Sequence, residues 1–421
     1  MELKFLLLLL LLFGITPNLG FFSFPSFLIL IGVCTLFIAL LFIPKQKQHI
    51  PPSQKFLPFI SIILLFYSSF YYGGLYQDPL TQTVGTAIMV VFSLVTTVRW
   101  YIKRRPPSIT WSIIMYLFLS LLTLLGSQHP IVDTIVVLKE APMMALHGLN
   151  PYVERFSAVY PTIDPTYYNY LPASFLFLIP FVYFFKDPRY SIILAMLIIT
   201  MVLYNTMKRS KKQASAGWLI LILLFLPRSF FILEHMYLDP IIVSVFAVFM
   251  YYTAMNRNVL SYVFLSFFFL LKQTPWAAFP LFLSPFIIQM TKHSKYVLAF
   301  TIPFIFPLYY FFLNPAAFTQ DVFTGLSKTS ITSPIGSSLT LQTLLSRTGI
   351  SLGPLDGLIL PLIMVFVIYI LILWKKPSLC YSVAFVVFCF HFFSYHAFFN
   401  VYYFVVLFLI LDIASTHKSQ I

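Results

Sequence analysis

Charge is what this sequence has least of. Only 9% of its 421 residues are Asp, Glu, Lys or Arg, far below the near-quarter with which a soluble domain faces water, and that excludes a water-soluble fold. Acidic groups are scarcer still, with 12 Asp and Glu against 26 Lys and Arg, for a formal charge of +14. The three cysteines, Cys34, Cys380 and Cys389, lie inside apolar runs without metal-ligand spacing, which speaks against a disulfide framework or a zinc site. A glycine-rich nucleotide loop, a nucleophile elbow and paired histidine ligands are missing too, so a soluble nucleotide-sugar donor has no support.

What is present is apolar: 60% of the chain is hydrophobic and 19% aromatic. Runs long enough to cross about 30 Å of hydrocarbon recur from end to end, clearest at 21–43, 56–76, 111–125, 214–233 and 296–313. The stretch 4–15 has the apolar core of a signal peptide but not its small-residue cleavage pattern, and is read as a retained helix. Its leucine run, 6–12, reads as a lipid-facing surface. We expect an all-α polytopic protein of about 12 to 14 helices in one integral membrane domain, 1–421.

The basic residues fall in clusters between the apolar runs rather than along one face, so they report topology and not nucleic-acid binding. Lys45, Lys47 and Lys55, then Lys103, Arg104 and Arg105, then Lys208, Arg209, Lys211 and Lys212, then Lys292 and Lys295, then Lys375 and Lys376 mark the expected cytoplasmic loops. Two long segments, about 128–172 and 314–357, then face outward. Segments 173–185 and 259–271 are short for spans, and a tilted or re-entrant helix at 173–185 restores the parity.

With so few acids, each one near apolar sequence needs a reason, because an unpaired carboxylate in lipid costs several kcal/mol. Glu2, Asp187 and Asp412 stand at segment ends. Asp133 opens a short amphipathic segment, 133–146, and shares one helical face with Glu140, about 10 Å away along the axis. Pro142 interrupts that segment or lies near a helix start, and Gly148 marks its stop. The residues alone leave two readings, an interfacial helix with solvated charges or a face looking into a cleft. Glu234, His235 and Asp239 close a span, either as a capped helix end at Asp239-Pro240 or as part of a site. Lys272, between two short apolar halves, either snorkels or meets an anion.

The stretch VDTIVVLKEAPMMALHGLNPY from Val132, followed by YNYLPASFLFLIP, resembles the first outward loop of GT-C glycosyltransferases that use polyprenyl-phosphate sugars, most closely glycosyltransferase family 87 and related mannosyltransferases. That family has an Asp after a transmembrane helix, an amphipathic helix, a Gly-x-Asn/Asp-Pro-Tyr turn and a Tyr-x-Pro lead into the next helix. These fall on Asp133, on Gly148, Asn150, Pro151 and Tyr152, and on Tyr170 and Pro172. The likeness covers about 109–421, and the helices of 1–108 depart from it. It implies inverting transfer of a hexose, mannose-like, from a polyprenyl-phosphate donor to an acceptor hydroxyl on the extracytoplasmic face of a plasma membrane, with no divalent metal or other cofactor.

On this resemblance Asp133 is the general base, and Glu140, Asn150, Tyr152, Tyr170, Glu234, His235, Asp239 and Lys272 line the substrate site. His396 and Tyr402, within FHFFSYHAFFNVYYF, match the family's final loop, although an aromatic belt has the same composition. Partners would be the lipid-linked donor, a glycan, lipid or protein acceptor, and membrane lipids. Two other readings stand beside it: a transporter or lipid flippase with Lys272 and the 234–239 cluster as its ion site, and a non-enzymatic assembly protein whose loops dock a partner.

Overall fold

The computed structural model describes residues 2–43, 56–158, 167–283, 293–324, 337–350 and 356–415, so the basic residues Lys45, Lys47, Lys55 and Lys292 and parts of both long loops lie outside the described residues. The protein is all-helical. Its described residues include one isolated antiparallel bridge, Phe21 to Ser338, and no strand. Six helices among them are long and apolar enough to cross a membrane, Phe24–Phe42, Pro79–Lys103, Ile109–Gly126, Tyr190–Arg209, Ser294–Leu313 and Leu358–Lys375, and seven shorter apolar helices accompany them. Much of their apolar surface points outward, as at Phe366, Leu373 and Trp374. Water would not tolerate so large an exposed apolar area, whereas lipid does.

The chain forms two compact units. It begins in the first with α1 (Glu2–Ile15) and α2 (Phe24–Phe42), then passes through the second as α3 (Phe56–Phe70), α4 (Pro79–Lys103), α5 (Ile109–Gly126), α6 (Asp133–Leu146), α7 (Pro172–Phe185), α8 (Tyr190–Arg209), α9 (Gln213–Leu224), α10 (Ser229–Glu234), α11 (Asp239–Ala254) and α12 (Asn258–Leu270). The 3-10 turn Thr274–Ala278 belongs to the first unit. The second unit is completed by α13 (Ser294–Thr301), α14 (Ile305–Leu313), α15 (Pro315–Thr319) and the π-turn Gln320–Thr324. The first is completed by α16 (Leu341–Arg347), α17 (Asp356–Lys375), α18 (Leu379–Phe392) and α19 (Phe399–Ala414).

In the first unit α1 packs between α2 and α19, and this corrects the lipid-facing reading of the leucine run for the residues between them. Leu7, Leu8, Leu11 and Leu12 have no exposed surface, whereas Leu6 stays exposed and Leu9 and Leu10 are half-buried; only the faces that meet the neighbouring helices are buried. Its polar start is held by Lys4, whose Nζ lies 2.6 Å from Asp412 Oδ2 near the end of α19. Phe37 of α2 stacks on Phe385 of α18 with ring centres 4.9 Å apart. Gly20, at φ +75°, lets the chain pass within 2.3 Å of where a Cβ would meet the Phe399 nitrogen, a fit only glycine allows.

Helices α4, α5, α8, α9, α11 and α12 of the second unit form short-connected antiparallel neighbours whose two ends differ in charge. One end mixes signs, with Asp78, Asp133, Asp187, Glu234 and Asp239 beside Arg189, Arg228 and Lys272; the turns at the other carry Arg104, Arg105, Lys211, Lys212 and Arg257 and no described acid. Hydrogen bonds tie the first end together: Asp78 N donates to Gly126 O at 2.8 Å, and Arg189 Nη1 to Ser127 O at 2.8 Å. Asp78 also starts α4, accepting from Leu80 N and Thr81 N ahead of Pro79, a first turn pre-organised by proline. The expected span 214–233 is interrupted: α9 ends at Leu224, ahead of Pro227, which has no N–H to continue the ladder.

Helix α7 accounts for the segment 173–185. It is 14 residues long, about 21 Å and short of the hydrocarbon core, and it packs along α6. Both of its ends are tied to the same end of the unit, through Tyr170 before Pro172 and through Arg189 to Ser127. Helix α6 runs through Pro142 and stops as expected at Gly148, where Gly148 N donates to Ala145 O at 3.1 Å and Leu149 N to Met144 O at 2.9 Å.

Candidate functional site

The first residue of α6 is Asp133. Its Oδ1 accepts from Thr134 N at 2.7 Å, and Thr134 Oγ1 in turn donates to His235 O at 2.7 Å, fixing the start of α6 to the turn after α10. Asp133 is open to solvent, yet the protein packed around it disfavours its charge and raises its pKa above the ordinary 3.8. Desolvation by the neighbouring protein disfavours the charged form of a carboxyl even where part of it is accessible. The buried hydroxyl of Tyr170 feels the negative charge of both Asp133 and Asp239, and burial together with these charges pushes its pKa up. Two acids 106 positions apart in the chain thus share one neighbourhood.

Asp239 opens α11 ahead of Pro240 and is fully buried. It is not the N-cap, a place taken by Leu238. Its Oδ1 lies 3.4 Å from Nζ of Lys272, whose side chain retains 15% of its exposure, so the lysine is held at the end of α12 by an ion pair with one side still open. The next residue secures this geometry: Gln273 Nε2 donates to Asn169 O at 2.9 Å and to Val322 O at 3.0 Å. Tyr168 N donates to Asp321 Oδ2 at 2.8 Å, and Tyr152 Oη to Tyr170 O at 2.8 Å. The strand-like stretch bearing Tyr170 is therefore held by the π-turn, by Gln273 and by the Asn150 turn, where Asn150 Oδ1 accepts from Tyr152 N at 3.1 Å.

Glu234 is used differently. It has no exposed surface, and its two oxygens accept from Leu75 N at 2.6 Å and Tyr76 N at 3.1 Å. Burial raises its pKa, and these N–H donors oppose the rise. The loop approaches this closely because of Gly74, where an added Cβ would stand 1.6 Å from Glu234 Oε2. His235 lies parallel to Tyr237 with centroids 5.7 Å apart. Burial, with a smaller contribution from Arg228, pushes its pKa down to about 4. It is uncharged at neutral pH and offers a phosphate no cation there.

The remaining predicted residues make other contacts. Glu140 accepts from Ser157 N at 3.0 Å and Ser157 Oγ at 2.5 Å, and it lines a cavity whose lining does not include Asp133. His396 and Tyr402 belong to the first unit. There the His396 ring meets Phe398 edge-on at 4.9 Å, and the Tyr402 hydroxyl donates to Leu339 O.

The structure thus gathers Asp133, Tyr170, Asp239 and Lys272, sets Tyr237 and Gln273 beside them, and adds Thr134 and Asp321, which the sequence did not single out. The Gly73-Gly74 pair, a backbone able to approach closely, was the one local signal for the loop that cups Glu234. Among the described residues no three His, Cys, Asp or Glu side chains converge as a metal site. Compared with protein-family models, with curated proteins and with solved structures, the chain matches none.

Proposed function

We propose that this chain is a membrane glycosyltransferase of the GT-C type, which moves a hexose from a polyprenyl-phosphate donor to an acceptor hydroxyl on the extracytoplasmic side. One observation carries the reading: an accessible carboxylate of raised pKa, Asp133, shares the surroundings of Tyr170 with a buried Asp239 that holds Lys272. Transfer needs such a combination. Asp133 takes the proton of the acceptor hydroxyl as its oxygen attacks the anomeric carbon; the bond from that carbon to the phosphate oxygen breaks, and Lys272 stabilises the charge left on the lipid phosphate. A single displacement inverts the anomeric centre. The acid-free turns with Arg104, Arg105, Lys211, Lys212 and Arg257 support the sidedness, since such turns suit the cytoplasm and Asp133 stands at the other end of these helices.

The test is Asp133→Asn in proteoliposomes supplied with polyprenyl-phosphate mannose and a panel of hydroxyl acceptors. The expected result is a loss of roughly 10²- to 10⁴-fold in transfer with the protein still folded; undiminished transfer removes Asp133 from the mechanism. A transporter is the second reading, favoured by the buried Lys272–Asp239 pair beside the end of α12. Ion-coupled uptake by the same vesicles, with no lipid phosphate released from any donor, would select it.

A further inference from the structure

An open cavity of about 630 Å³ lies on the side of α6 that carries Val136, Lys139, Met143 and His147, bordered by the loop before α6 and by the end of α7. That stripe follows from helical spacing. Its volume matches that of pockets which enclose small organic ligands. Two chemistries meet there. Lys139 and Lys186 are cations exposed at its edge, and the one acid of its lining, Glu140, already has both oxygens engaged by Ser157. Two lysines and one carboxylate leave a formal charge of +1 with the histidines neutral. The walls are apolar, with Ile135, Met143 and Met144 among them, and the neighbouring surface exposes Tyr183 by 53%, Phe184 by 73% and Phe185 by 57%. Cations over an apolar slot beside exposed aromatics fit an anionic amphiphile and not a soluble anion, which would leave the walls unfilled.

We propose that this cavity seats the headgroup of an anionic membrane phospholipid, with Lys139 and Lys186 on the phosphate and the methionines against the first methylenes of its chains. The proposal rests on the placement in a membrane and not on sugar transfer. A seated lipid would bridge α6 to α7 and so steady the helix that carries Asp133.

The experiment uses the full chain in a non-ionic detergent, melted with added phosphatidylglycerol, with phosphatidylcholine, with soluble glycerol phosphate or with polyprenyl phosphate. Phosphatidylglycerol should raise the melting temperature at concentrations where phosphatidylcholine and glycerol phosphate do not. Lys139→Gln combined with Lys186→Gln, two exposed changes that leave the core intact, should weaken its apparent affinity roughly 30-fold, as expected for two near-surface lysines. Asp133→Asn should leave it unchanged, which separates this site from the reaction. Equal effects of phosphatidylcholine, a phosphatidylglycerol effect that survives the double substitution, or protection by polyprenyl phosphate alone through the same lysines would each overturn the proposal.

Discussion

Gly74→Ala probes the contact that joins an early loop to the candidate site. The new Cβ would stand 1.6 Å from Glu234 Oε2, 2.0 Å from Cδ and 2.5 Å from Oε1, so the carboxylate must leave its place. In doing so it gives up the N–H groups of Leu75 and Tyr76. Hydrogen bonds to a charged acceptor contribute about 1.5–3 kcal/mol each, so the loss is about 3–6 kcal/mol. Against this, removing a glycine stiffens the unfolded chain and returns about 0.4–1 kcal/mol. The balance is a destabilisation of roughly 2–5 kcal/mol.

The assay is thermal unfolding in detergent followed by the fluorescence of Trp100 and Trp218, which meet edge-on in the same unit as Gly74 and Glu234. Gly32→Ala is the control: nothing lies within 4 Å of its added Cβ, and in a helix the change should be neutral or stabilising. Adding Glu234→Ala to Gly74→Ala should cost far less than the sum of the two, since without the carboxylate there is no clash. Transfer activity should fall with Gly74→Ala as well, because the residue after Glu234 accepts the bond that fixes Thr134 beside Asp133. Melting of Gly74→Ala indistinguishable from the parent would refute the reasoning.

Lys4→Met leaves Asp412 buried without its ammonium and should destabilise the first unit by about 3–5 kcal/mol; Asp412→Asn in the same chain should recover part of this in the same melt. Asp321 is pushed up to about 6 from 3.8 by burial, against the opposing bond from Tyr168 N–H. A raised carboxyl pKa means that its contribution is fully present below pH 3.8 and lost as pH rises through 6, about 3 kcal/mol in all. Asp321→Asn should therefore abolish that part of the slope between pH 4 and 6, read from melting against pH. Lys272→Gln should lower transfer by roughly 10²-fold or more, chiefly in kcat, and Lys272→Arg should restore part of it; equal KM and kcat for all three proteins would exclude a phosphate contact.

Much of the helical framework was legible because its cause is local. Apolar runs and Gly148 at a helix stop act within a few residues, and α2, α5 and α6 begin or end close to where these signals stand. The difference in charge between the turns is likewise a property of composition along the chain. Asp133 drew attention because a lone carboxylate opening an amphipathic segment needs a reason, and the helix does begin at that residue. The leucine run was read only in part for the complementary reason: lipid and packed helices are equally apolar, so hydropathy does not tell the leucines buried against α2 and α19 from the exposed Leu6. Sequence alone decided that the chain is helical, apolar and charge-poor. Only tertiary structure decided that Asp133, Tyr170, Asp239 and Lys272 meet, that Glu234 is consumed by a glycine-cradled loop and that α7 turns back along α6, because each depends on pairings between residues tens to more than a hundred positions apart, which no local periodicity encodes.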